Sequence, residues 1–208
     1  MKFTVISVVI AIIFSILLDT ITNKEKKDIR LVLCKLRDDK KYLVISIINI
    51  VIVGFMASIM EFTSHNIILL SVIFVFFKIV IIDIESQVIN MKLFIILMII
   101  SIVSLFTENV ETLSNLILTG ICLFVLFWIV AKVTNEAIGK GDAMLLGALG
   151  LVFGLQGMCG ILLLASLLTC LVSIFFLIKS FRKNKGKTLA FTPYIYISIL
   201  VLMFINNF

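Results

Sequence analysis

Two aspartates, Asp83 and Asp142, stand where long apolar stretches meet polar loops. Asp83 follows the apolar run 67–82, and Asp142 ends the motif Gly-Lys-Gly-Asp at 139–142, directly before another apolar run. A carboxylate at a membrane boundary loses part of its hydration, so an acid found there usually has a function. Two such acids on one membrane face could share one proton and activate a water molecule. The pattern predicts an aspartyl protease embedded in a membrane.

The chemistry of this pair follows from the two residue types and their setting. Peptide hydrolysis can use one ionised carboxylate as a base and one protonated carboxyl as an acid. Two carboxylates a few ångströms apart do not both ionise easily, so the pair holds one proton and its ionisation steps belong to both residues. Gly139 and Gly141 lack a Cβ atom, so the backbone beside Asp142 can turn tightly and approach a substrate. We therefore predict Asp83 and Asp142 as catalytic, with both glycines in an active-site loop.

The composition is that of a polytopic membrane protein. Of the 208 residues, 62% are hydrophobic, and the mean hydropathy is +1.28. Several apolar segments reach or approach the ~17–25 residues that span a bilayer core. We predict a single all-α membrane domain over residues 1–208, built as a bundle of about eight transmembrane helices. The predicted spans are 3–18, 43–60, 67–82, 93–106, 114–133, 143–156, 158–178 and 189–206.

The distribution of charge predicts the orientation of these spans. Basic residues concentrate in the segments 19–42 and 179–188, whereas the loops on the other side contain Glu61, Glu108 and Glu111. Lys and Arg gather on the cytoplasmic side of a membrane. The short basic loop 19–42 is therefore predicted to be cytoplasmic, and both chain termini are predicted to lie outside. With eight alternating spans, both aspartates fall on the cytoplasmic face.

The net charge of +6 does not predict a nucleic-acid partner, because the basic residues lie in loops between apolar spans and membrane topology explains them. The expected contact of the chain is membrane lipid. The chain contains one histidine and four cysteines, none of them in a Cys-x-x-Cys pair. This spacing predicts no metal site and no cofactor. The sequence leaves the oligomeric state open.

Three segments resemble motifs of the type IV prepilin peptidases. Residues 83–89, Asp-Ile-Glu-Ser-Gln-Val-Ile, resemble the first aspartate motif of that family. Residues 136–142, Glu-Ala-Ile-Gly-Lys-Gly-Asp, resemble its Gly-x-Gly-Asp motif. Residues 190–194, Ala-Phe-Thr-Pro-Tyr, resemble the Phe-x-Pro element that opens its last helix. The resemblance extends over most of the chain from the second span onward and implies a peptidase core at 66–178.

The resemblance also implies an activity, a location and a further site residue. Members of this family cut the leader peptides of type IV prepilins or pseudopilins after a glycine, at the cytoplasmic surface of the bacterial cell membrane. Asp83 and Asp142 correspond to the catalytic aspartates. Pro193, the only proline of the chain, is compatible with a helix N-terminus, and the resemblance gives it a role in shaping the site.

The chain departs from the family pattern at three places. Asn90 stands where the family usually has proline, and Met144 stands where it often has lysine. The first cytoplasmic loop of many members holds paired Cys-x-x-Cys zinc ligands that are linked to N-methylation of the cleaved pilin. The loop 19–42 contains only Cys34, and one cysteine cannot form a zinc site. We therefore expect peptidase activity without methyltransferase activity.

Two alternatives remain open from the sequence. One is a catalytically degenerate or non-enzymatic membrane protein, such as an assembly factor or a small transporter, and Asn90 and Met144 favour it. A transporter would be expected to have helices broken near the membrane midplane and a repeated half, and the sequence shows neither. The other is a presenilin-type protease, which shares the Gly-x-Gly-Asp string. In that class the first aspartate follows a tyrosine, whereas Ile82 precedes Asp83 here.

Overall fold

The computed structural model describes residues 40–60, 63–107, 109–134, 139–179 and 190–206. These residues form six α-helices and no β-strand. The all-α prediction is therefore confirmed for this part of the chain, while the span 3–18 and nearly all of the loop 19–42 lie outside it. The helices are α1 (Lys40–Ile59), α2 (Ser64–Ser86), α3 (Met91–Leu105), α4 (Val110–Val133), α5 (Lys140–Lys179) and α6 (Thr192–Asn206).

Each predicted span from 43–60 onward overlaps one of these helices, as expected because a backbone in hydrocarbon must satisfy its hydrogen bonds within its own segment. Three helical segments are long and apolar enough to cross a membrane: Ser64–Ile84, Thr112–Val133 and Lys140–Phe175. Three shorter apolar segments accompany them: Ile47–Ile59, Met91–Leu105 and Thr192–Ile205. The described residues support a multi-pass membrane protein and do not confirm the predicted number of eight spans.

Helix α2 is the central element of the bundle. Over half of its most apolar stretch (56%) is buried, against 17% for the corresponding stretches of α4 and α5. Its core side chains include Ile73, Phe76 and Ile79, which are almost fully enclosed. The outer faces of the other helices carry large exposed apolar side chains, for example Val51 on α1 and Leu171 on α5. Such faces suit contact with lipid.

Helices α4 and α5 approach closely because glycines face each other across their interface. A Cβ atom added to Gly150 would lie 3.0 Å from the Cα of Gly120, and one added to Gly147 would lie 2.9 Å from the Cβ of Phe124. Small residues let membrane helices come this close. Gly147 meets Phe124 whereas Leu151 meets Gly120, so the two helices run antiparallel. This packing holds the beginning of α5 against the end of α4.

Helix α5 is broken at Gly154, which has φ 61° and ψ −175°. Only glycine adopts this backbone conformation readily. The break divides α5 into the segments 140–153 and 155–179, close to the predicted boundary between the spans 143–156 and 158–178. The two glycines thus differ in role: Gly150 packs against α4, whereas Gly154 interrupts the helix. A Cβ atom added to Gly154 would also lie 3.0 Å from the side chain of Leu116.

The bundle has two distinct ends. We call the end that contains Asp83 and Asp142 the aspartate end; it includes the last turns of α2 and α4 and the first turns of α3, α5 and α6. The break at Gly154 lies at the opposite end, which we call the far end. A cavity of about 450 Å³ lies there beside the break, and its polar lining includes His65, Asn115 and Gln156.

Replacing Gly154 with alanine should destabilise the protein by about 1–3 kcal/mol, because a residue with a Cβ atom is strained at this φ and ψ. The measurement is the unfolding transition of the purified protein in detergent. Gly160→Ala is the matched control: this helical glycine would meet only the flexible end of Leu202, at 3.1 Å. Equal stability of the two variants would contradict a strained break at Gly154.

Candidate active site

Asp83 lies in the last turn of α2 with its side chain only 7% exposed. Its carboxylate oxygen Oδ2 accepts a hydrogen bond from the Thr192 hydroxyl at 2.5 Å. The helix then ends at Ser86, and the backbone N–H of Gln87 donates to the carbonyl oxygen of Asp83 at 2.8 Å. Gln87 adopts the left-handed conformation (φ 53°) that commonly terminates helices. The turn after Asp83 therefore leads the chain away from the helix axis.

Asp142 lies in the first turn of α5, and its side chain is half-buried. Its backbone N–H donates to the carbonyl oxygen of Gly139 at 3.0 Å. A negative side chain in the first turn interacts favourably with the positive end of the helix dipole. The fold brings Asp142 to the same end of the bundle as Asp83, because Ile89 in the loop after α2 packs on Gly141.

Gly141 brings the two aspartate segments into direct contact. A Cβ atom added to Gly141 would overlap the Cδ1 atom of Ile89, and it would lie 3.0 Å from Cγ1 and 3.4 Å from Cβ of the same side chain. Ile89 belongs to the short loop that follows Asp83. The missing Cβ of Gly141 therefore lets this loop pack on the backbone next to Asp142. Gly139 is exposed, and its added Cβ would lie 3.6 Å from the Asp142 carboxylate, an ordinary contact.

Asn90, the first departure from the family pattern, has a local structural role. It is the N-cap of α3, and its side-chain oxygen accepts a hydrogen bond from the backbone N–H of Lys92 at 3.0 Å. Such caps stabilise helices by about 1 kcal/mol. Its φ of −72° is also one that proline adopts. The loop between Asp83 and α3 thus keeps a proline-compatible backbone. Met144, the second departure, is half-buried in α5.

Pro193 lies at the beginning of α6, directly after Thr192. Proline fits the first turn of a helix, because the N–H that it lacks would have no partner inside the helix. The carbonyl oxygen of Phe191 accepts the backbone N–H groups of Tyr194 at 3.1 Å and Ile195 at 3.3 Å. This first turn holds Thr192 fully buried against Asp83.

Thr192 is the residue of the site that the sequence did not single out. Its position in the Phe-x-Pro element was visible, but a threonine before a proline is common at helix starts. Only the packing of α6 against α2 shows that its hydroxyl reaches Asp83, 109 positions away in the chain.

The aspartate end also contains an aromatic and basic pair. The Nζ atom of Lys132 lies 5.6 Å from the ring centroid of Trp128, one turn earlier on α4. Both side chains are exposed near the end of the helix. Trp and Lys are typical of the interface between a membrane and water. The two carboxylates therefore lie at the end of the bundle that has interfacial side chains.

The described residues contain no group of three or more His, Cys, Asp or Glu side chains that could hold a metal ion. Two carboxylates can supply one base and one acid when they share a proton.

A comparison with protein-family models matches residues 67–176, just over half of the chain, to the type IV leader peptidase family. The chain belongs to the type IV leader peptidase family. The resemblance that the motifs predicted is confirmed, and the family supports a peptidase with several membrane helices. The matched region includes Asp83, Asp142 and both loop glycines. No curated protein and no solved structure matches the chain.

The contact between Gly141 and Ile89 can be tested by a double-mutant cycle. Gly141→Ala should cost about 1–3 kcal/mol of stability, because overpacking forces neighbouring side chains to move. Ile89→Val removes the Cδ1 atom that the new methyl group would overlap, so Gly141→Ala should cost measurably less in that background. The measurement is the free energy of unfolding of the four proteins in detergent.

Gly139→Ala is the control for this cycle, because its added methyl group meets only an ordinary contact. If Gly141→Ala costs the same with Ile89 and with valine at that position, the two aspartate segments do not touch in this way.

Proposed function

We propose that the protein is an aspartic endopeptidase of the membrane that removes the leader peptides of type IV prepilins or pseudopilins. The observation that carries this proposal is the packing of Ile89, in the loop after Asp83, on Gly141, the residue before Asp142, at one end of the bundle. The two aspartates come from different helices and from two separate family motifs. A pair of carboxylates is sufficient for peptide hydrolysis without a cofactor.

The chemistry needs one proton shared between the two residues. The ionised carboxylate takes a proton from a water molecule as the oxygen of that water attacks the carbonyl carbon of the scissile bond. The protonated carboxyl gives its proton to the leaving amine nitrogen as the C–N bond breaks. The pair then holds one proton again, since one was taken from water and one was given to the amine. The exposed Gly139 leaves room for a substrate backbone beside Asp142, whereas the space at Gly141 is filled by Ile89.

The proposed location of the reaction is the cytoplasmic face of the bacterial cell membrane. The basic segments 19–42 and 179–188 support this orientation by the positive-inside rule, with both termini outside. The pair of Trp128 and Lys132 supports an interface at the aspartate end. A site at this level suits a substrate whose polar leader lies in water and whose following segment enters the membrane.

The substrate class is supported by apolar side chains that surround the end of α2. Ile84, Val88 and Met91 are each more than half exposed beside the loop that follows Asp83. Prepilin-type substrates have a hydrophobic helix directly after the cleaved glycine. An exposed apolar rim next to the carboxylates could contact the beginning of such a helix, and this would favour cleavage close to the membrane surface.

Asp83→Asn and Asp142→Asn should each reduce cleavage about 1,000-fold or more, because the residues of one catalytic unit depend on each other. The measurement is the size shift of a co-expressed prepilin, followed by rates with the purified protein in lipid. Glu108→Gln, in a loop predicted to lie on the opposite face, is the control and should retain activity.

Normal cleavage by either asparagine variant would contradict the dyad. Absence of cleavage by the unaltered protein across several prepilins would instead favour the catalytically degenerate alternative. Membrane levels of each variant need to match those of the unaltered protein for this comparison.

The cleaved product should carry an unmodified amino terminus. We propose that the protein lacks methyltransferase activity, since the segment 19–42 offers a single cysteine for zinc. Mass spectrometry of the product formed by the purified protein with S-adenosylmethionine is the measurement. A mass increase of one methyl group would overturn this proposal.

A further inference from the structure

We propose that Thr192 is a positioning residue that holds the carboxylate of Asp83 ionised, so that Asp83 is the base and Asp142 supplies the proton. This inference rests on the proposed function and assigns different roles to the two aspartates. Its physical basis is the hydrogen bond from the Thr192 hydroxyl to Asp83 Oδ2.

The hydrogen bond lies in a protected environment. Thr192 is fully buried, and Asp83 is 7% exposed. A hydrogen bond to an ionised acceptor is stronger than one between neutral groups, and low exposure reduces competition from water. A hydroxyl that donates to a carboxylate stabilises the ionised state relative to the protonated one. The Thr192 contact therefore favours negative charge on Asp83.

The surroundings of Asp142 differ from those of Asp83. Asp142 is half-buried in the first turn of α5 beside the exposed Gly139, whereas Asp83 is buried against Thr192. Because the loop after Asp83 packs on Gly141, next to Asp142, a negative charge on Asp83 disfavours a second one on Asp142. The shared proton is therefore favoured on Asp142, the carboxyl that lies next to the exposed backbone of Gly139.

The fold restricts the position of the Thr192 hydroxyl. Threonine is branched at Cβ, which restricts rotation about χ1. The following Pro193 and the turn closed by the Phe191 carbonyl fix the backbone of Thr192 at the beginning of α6. One turn further along α6, the buried Tyr196 packs between Phe76 and Phe77 of α2, with ring centroids 6.1 Å and 5.3 Å apart. These contacts hold α6 against the helix that contains Asp83.

Other charged groups in the neighbourhood are unchanged by a substitution at Thr192. Asp142 lies in the first turn of α5 at the same end of the bundle, and Lys78 is buried on α2 itself. Lys92 and Lys140 lie in the first turns of α3 and α5 and are exposed. A difference between Thr192 variants therefore reports the hydroxyl and not these charges.

The test compares Thr192→Val, which keeps the shape but has no donor, with Thr192→Ser, which keeps the hydroxyl. For the valine variant we expect kcat to fall about 10- to 100-fold, the effect of losing a hydrogen bond to a charged group. KM should change little, since Thr192 is not proposed to touch the substrate. The acidic limb of the pH–rate profile should move to higher pH by about one unit, because the ionised pair is less stabilised. The serine variant should behave like the unaltered protein.

A second readout does not depend on peptidase activity. The infrared band of the protonated carboxyl group, assigned with Asp83→Asn, can be titrated for each variant in lipid nanodiscs. The Asp83 contribution should persist to higher pH in Thr192→Val than in Thr192→Ser. If the valine variant does not fold, Thr192→Ala supplies the same comparison, and thermal unfolding in detergent establishes which variants are folded.

The outcomes separate this inference from the proposed function. An infrared shift in a protein that cleaves no prepilin would support the role of Thr192 and count against the peptidase. Cleavage with an unchanged pH profile and an unchanged infrared titration in the folded valine variant would overturn the role of Thr192 and leave the peptidase in place.

Discussion

The close packing of the two segments that contain Asp83 and Asp142 is the constraint on which the rest of the aspartate end depends. Two acids that share a small space favour separation unless one keeps a proton and the surrounding packing holds both segments in place. The Thr192 hydroxyl at the beginning of α6 donates a hydrogen bond to Asp83, and the contact of Gly141 with Ile89 holds the beginning of α5 against the loop that follows α2. The terminal turns of three helices, α2, α5 and α6, therefore provide Asp83, Asp142 and Thr192 respectively.

Glycine contacts determine how close these helix ends can come. Gly120 and Gly150 let α4 and α5 pack closely, and Gly141 lets the Ile89 loop rest on the backbone beside Asp142. At the far end, Gly154 interrupts α5, so its first segment ends there and the second packs beside α6 around Gly160 and Leu202.

The positions of the helices and the two aspartates could be predicted because both are local properties. Hydrophobic runs identify helices in a membrane protein, and acids at the ends of those runs are conspicuous. The contacts Thr192–Asp83 and Ile89–Gly141 could not be predicted from the sequence. They depend on how α6 packs against α2 and how α5 packs against the loop that follows α2. The conformation of Gly154 was equally hidden, since a glycine in an apolar run reads as a packing residue. The role of Asn90 as a cap of α3 shows how a departure from a family pattern can preserve the local backbone.

The central claim, that the two aspartate segments meet at one end of the bundle, has a direct chemical test. The Cβ of Ile89 lies 3.4 Å from the position of a Cβ on Gly141, near the range of about 3.5–4.5 Å that disulfides require. In a variant without the four native cysteines, Ile89→Cys with Gly141→Cys should form a disulfide under mild oxidation in membranes. Ile89→Cys with Gly147→Cys is the control and should remain reduced, because Gly147 faces Phe124 on α4. Absence of the Ile89–Gly141 cross-link in folded protein would contradict the account.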